Sequence, residues 1–67
     1  MENNWFKYLV IFSNNSIWSK TNLLHRWKSE TIINKALSLN YIKECGHTDI
    51  GEVQYQITEL GKNIRDN

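Results

Sequence analysis

The sequence predicts a small, mostly helical α+β domain, and three of its features carry that prediction. Two successive amphipathic helical stretches are separated by a two-residue break, Lys28-Ser29. The apolar period changes to two after residue 41, and a last short helical stretch follows Thr58. The 67 residues suffice for one domain, residues 1–67, and a chain of this size buries only about 60% of the surface its unfolded form exposes. Self-association is therefore expected.

Taken in order, residues 4–12 read as a first helix. Trp5, Phe6, Tyr8, Leu9, Val10, Ile11 and Phe12 leave it almost no polar face, so burial on more than one side is expected, the second side being another copy of the chain. Ser13, Asn14, Asn15 and Ser16 stop that helix, and Ile17-Trp18 reads as a short strand. Ser19 caps a second helix running to Trp27, with Leu23, Leu24 and Trp27 facing the core. Ser29 caps a third, with Glu30 near its positive dipole end. In this third helix Ile32, Ile33, Ala36, Leu37 and Leu39 form an apolar stripe, opposite Thr31, Asn34, Lys35 and Ser38.

Residues 41–45 and 52–57 alternate as the strands of a hairpin, joined by a loop over residues 46–51 that two glycines bracket. Thr58 caps a last helix over residues 59–66, with Leu60 and Ile64 spaced to share one face. Gly61 costs about 1 kcal/mol inside a helix, which points to close packing or a local bend there.

Charge is unevenly distributed. Residues 1–43 hold Lys7, Lys20, Arg26, Lys28, Lys35 and Lys43 against Glu2 and Glu30, a balance of +4. Residues 44–67 hold Lys62 and Arg65 against Glu44, Asp49, Glu52, Glu59 and Asp66, a balance of −3. The basic half includes the third helix, where attraction to phosphate is of use.

Two stretches carry a resemblance. Residues 29–42, a leucine-rich helix leaving through an Asn turn to Tyr41-Ile42, and Tyr55-Gln56-Ile57-Thr58-Glu59-Leu60-Gly61-Lys62 resemble the winged helix-turn-helix regulators of the MarR and PadR kind. The two stretches lie within residues 29–62, a span of roughly half of the chain. The likeness implies a winged helix-turn-helix fold, with a three-helix core, a β-hairpin wing and a short C-terminal helix. It also implies a function, sequence-dependent binding of double-stranded DNA by a transcriptional regulator.

An α-helix fits the major groove, and its outward side chains reach base edges there. Those side chains are Thr31, Asn34, Lys35 and Ser38: Asn34 suits adenine, and Lys35 suits guanine acceptors or a phosphate. Ser29 with Lys28 is expected at a phosphate, and Lys20 and Arg26 at further phosphates. The expected homodimer meets through Trp5, Phe6, Leu9, Phe12 and Ile64, and a two-fold pair reads an inverted repeat at a spacing of about 34 Å. The resemblance places the wing at the minor groove or backbone. Its tip, however, has no Arg or Lys and carries Asp49 between Glu44 and Glu52, which phosphates repel.

Other classes are weighed against this one. Cys45, His47 and Asp49 alternate, but a closed zinc site requires four ligands and no fourth stands at a familiar spacing. Cys45–His47 lacks an orienting third group for nucleophilic catalysis, and no carboxylate pair or phosphate loop is present, so neither an enzyme nor a cofactor is expected. His25 reads as exposed or phosphate-side. The alternative function is a winged-helix protein-interaction module, such as a phage or plasmid factor that binds a host protein, which the acidic wing and the net charge of +1 favour. The lone Cys45, an apolar run of only residues 8–12 and the lack of a basic-then-apolar leader lead to the expectation of a cytoplasmic protein.

Overall fold

A computed structural model describes residues 4–67. Along the chain these form α1 (Phe6–Leu9), β1 (Trp18–Ser19), α2 (Lys20–Trp27), α3 (Glu30–Ser38), β2 (Ile42–His47), β3 (Val53–Ile57) and α4 (Glu59–Asp66). The architecture is α+β: four helices and one antiparallel sheet of three strands in the order β1-β3-β2. Trp18 of β1 stands opposite Tyr55 of β3, and Ile42 of β2 opposite Ile57.

The caps expected from the sequence set the starts of three helices. The Ser19 hydroxyl oxygen accepts from the Asn22 N–H at 3.4 Å, that of Ser29 from the Ile32 N–H at 3.2 Å and that of Thr58 from the Gly61 N–H at 2.9 Å. α2 ends on Lys28, whose backbone is left-handed (φ 60°) while its N–H returns to the Leu24 carbonyl. α3 ends in a Schellman motif with Asn40 as its left-handed residue (φ 65°). There the Asn40 N–H donates to the Leu37 carbonyl at 3.0 Å and the Tyr41 N–H to the Ala36 carbonyl at 2.9 Å.

The core consists of Leu9, Phe12, Leu23, Trp27, Ile33, Ala36, Ile42, Tyr55 and Ile57, drawn from every element except β1 and α4. Trp18 and Ile64 pack against it from those two elements. Within the core, the Tyr8 ring lies 5.5 Å and the Phe12 ring 6.0 Å from Trp27, both edge-on, and the Trp27 Nε1–H donates to the Tyr8 carbonyl at 2.9 Å.

Four expectations require correction. The first helix is one turn, not residues 4–12. Trp5 supplies no side-chain cap, aromatic and β-branched residues such as Val10 and Ile11 are poor helix formers, and the chain tightens into a Phe12 N–H to Leu9 carbonyl bond. Secondly, Leu9 and Phe12 cannot form a dimer surface, because both are buried in the chain's own core. Trp5 and Ile64 also pack inward, the Trp5 ring lying 5.3 Å from that of Tyr41, while Phe6 remains 50% exposed. Thirdly, the hairpin loop is shorter than residues 46–51. β2 continues through Gly46 and His47, with a bulge between Glu44 and Gly46, and the Thr48 N–H closes the turn on the Glu52 carbonyl at 2.8 Å. Finally, Leu60 faces outward and Gly61 takes the buried place on α4.

Gly61 is required by contact. A Cβ at this position would collide with the Tyr41 carbonyl oxygen and come within 2.8 Å of Ile57 Cγ1. Gly61→Ala is therefore expected to destabilise the domain by about 1–3 kcal/mol through overpacking. The thermal midpoint should fall by about 4–8 °C for each kcal/mol lost. In an open helix the same change stabilises by about 1 kcal/mol, so a raised midpoint would contradict the close approach of α4 to Tyr41.

Candidate nucleic-acid interface

The outward face of α3 is built by what its other face buries. Ile33 and Ala36 are fully buried, and Ile32 and Leu37 pack on the core beside them. This leaves Thr31, Asn34, Lys35 and Ser38 exposed at positions i, i+3, i+4 and i+7 of one helix. A hydroxyl, an amide, an ammonium and a second hydroxyl therefore line one stripe. The amide can pair with an adenine edge, the ammonium with guanine acceptors or a phosphate, and the hydroxyls with either base edges or backbone.

The turn that precedes this helix adds a cation. Lys28 is exposed in the left-handed conformation, which costs a residue with a Cβ roughly 1–2 kcal/mol relative to right-handed backbone. Ser29 is partly buried and its hydroxyl oxygen already accepts the Ile32 N–H, so its cap holds the helix end that Lys28 flanks. Lys28, Ser29, Thr31, Asn34, Lys35 and Ser38 thus belong to one turn and one helix, as the sequence predicts.

The other two expected phosphate contacts each have a partner within the chain. Arg26 lies over the Trp18 ring, 5.6 Å from its centroid, a cation–π stack between α2 and β1. Lys20 Nζ is 3.2 Å from Glu30 Oε2, joining the first residue of α2 to the first residue of α3. The hydrogen bond and charge of Glu30 raise the Lys20 pKa, and Tyr55 and Glu44 are near enough to add to that effect.

Glu52 has a role that the sequence does not signal. Its carboxylate accepts from the Thr21 N–H across 31 positions of chain and ties the hairpin to the first turn of α2. The hydrogen bonds from Thr21, side chain and then backbone, hold this carboxyl below the usual glutamate range. An acidic hairpin residue is thereby placed at a helix N-terminus, where a negative charge is favourable. Asp49 remains exposed at the tip beside Ile50, which is 86% exposed. Arg65 makes a second long-range tie, donating to the Phe12 carbonyl and to Asn14 Oδ1, both at 2.8 Å.

Among the described residues no three His, Cys, Asp or Glu side chains are placed to hold a metal ion, and no helix is long and apolar enough to cross a membrane. His25 is exposed on α2, and Cys45 is exposed at the bulge of β2. No family model matches the chain, and neither a curated protein nor a solved structure matches it.

Proposed function

We propose that this chain is a winged helix-turn-helix domain that binds duplex DNA in a sequence-dependent way, as a cytoplasmic transcriptional regulator. α2, the Lys28-Ser29 turn and α3 serve as the helix-turn-helix, β2 and β3 as the wing. α3 lies in the major groove, and Thr31, Asn34, Lys35 and Ser38 face the bases. The observation that carries this reading is that polar stripe, held outward on a helix capped at both ends and buried on its opposite side. Lys28, exposed in the turn before α3, supplies a backbone contact. The wing, with Asp49 at its tip, stays clear of the phosphates.

The domain acts as a homodimer on an inverted repeat. Its surface is formed by Phe6 of α1 and Val10 at the C-cap of that helix, each 50% exposed. A second reading, a module that binds a protein partner, is favoured by the acidic wing and by a net charge of only +1. Salt separates the two readings, since phosphate contacts make affinity fall steeply as salt rises.

Fluorescence anisotropy against duplex from upstream of the protein's own gene, and against scrambled duplex, tests the first reading. We expect a salt-sensitive preference for the native segment. Asn34→Ala with Lys35→Ala should remove that preference, at a cost of about 1–3 kcal/mol for each good base contact, with circular dichroism unchanged. An absence of binding at low salt would favour the protein-partner reading. In sedimentation velocity the wild type is expected as a dimer and Phe6→Glu as a monomer. A wild-type monomer at high micromolar concentration would overturn the α1 surface.

A further inference from the structure

We infer that Glu30 is an intramolecular competitor of the DNA backbone: it holds Lys20 away from phosphate and so limits sequence-independent adhesion to duplex. The inference rests on the DNA-binding reading above and concerns how strongly the domain holds the backbone, not which bases α3 meets.

The Lys20–Glu30 pair, 3.2 Å apart, links the first residue of α2 to the first residue of α3. An ammonium beside the N-terminus of α2 attracts an anion. The chain supplies its own anions. Glu30 takes the Lys20 ammonium, and Glu52 takes the N–H of the next residue, Thr21. A phosphate approaching this edge of α3 therefore meets donors already served by carboxylates. Lys20 releases no counterion on DNA binding while Glu30 holds it.

The Lys20 and Glu30 side chains are 41% and 54% exposed, so an ammonium released by a change at Glu30 stands open to solvent and to a phosphate. Removing the carboxylate without changing its shape, Glu30→Gln, should free Lys20 for the backbone. One additional phosphate contact makes the slope of log affinity against log salt more negative by about 0.9. The advantage of Glu30→Gln over wild type should then shrink roughly 3.5-fold between about 50 and 200 mM salt.

The experiment is a set of salt titrations on scrambled duplex with the wild-type chain, Glu30→Gln, Lys20→Met and Lys20→Met with Glu30→Gln. We expect Lys20→Met to leave the slope of the wild type unchanged and to reduce that of Glu30→Gln by about one contact. Loss of that slope on Lys20→Met in the wild-type background would show that Lys20 already contacts phosphate and would overturn the inference. Equal slopes for Glu30→Gln with and without Lys20 would also overturn it. Absence of salt-dependent binding by every variant, on the segment upstream of the gene as well as on scrambled duplex, would instead overturn the DNA reading itself, an outcome distinguishable from both. Circular dichroism of the four proteins checks that each is folded.

Discussion

The Trp27 indole joins the first helix to the second, and the placement of α3 follows from that join. Its Nε1–H is bound to the Tyr8 carbonyl at 2.9 Å, and the rings of Tyr8 and Phe12 meet it edge-on. α1 is a single turn with no side-chain cap of its own, and a helix of that length does not persist in water without tertiary contacts. Trp27 is also the last residue of α2, so the residue that fixes α1 stands immediately before the Lys28 turn that redirects the chain into α3. With Ile33 and Ala36 then buried against the same core, the direction faced by Asn34 and Lys35 is determined by packing and not by any ligand.

Electrostatics modify what that surface can do. Of the six cations of residues 1–43, Lys20 is paired with Glu30 and Arg26 is stacked on Trp18. Lys28 and Lys35 are the exposed cations on α3 and its preceding turn. On the proposed reading, binding draws on few backbone contacts and leans on the base edges that α3 meets. Modest net charge and sequence dependence are compatible on those terms, because phosphate contacts position a protein while base contacts specify the site. Glu52 has a different consequence: its bond to Thr21 ties the β2–β3 hairpin to the first turn of α2.

Much of this was legible in the sequence because it is local. Ser19, Ser29 and Thr58 announce their helices through their own hydroxyls, Asn40 ends α3 in the conformation that Asn tolerates, and Gly61 signals a close approach. The stripe of Thr31, Asn34, Lys35 and Ser38 follows from helical period alone. What was not legible depends on partners distant in sequence. No local pattern says that Glu52 reaches Thr21, that Arg65 reaches Phe12 and Asn14, or that Glu30 takes Lys20. The nearly continuous apolar run of residues 5–12 suggested a long helix with a dimer face, because periodicity cannot rank positions when almost all are apolar. Packing ranks them: Leu9 and Phe12 turn inward, Phe6 and Val10 outward. Leu60 faces outward for a related reason, since a glycine against the Tyr41 carbonyl occupies the inner position.

The central claim, that the polar face of α3 is the surface that meets duplex DNA, is tested most directly by titrating duplex into isotopically labelled protein and following backbone amide shifts. The account predicts perturbations concentrated on Lys28, Ser29, Thr31, Asn34, Lys35 and Ser38, with α1 and α4 little changed. Perturbations centred on the wing tip or on the Phe6–Val10 face, with α3 unmoved, would contradict it.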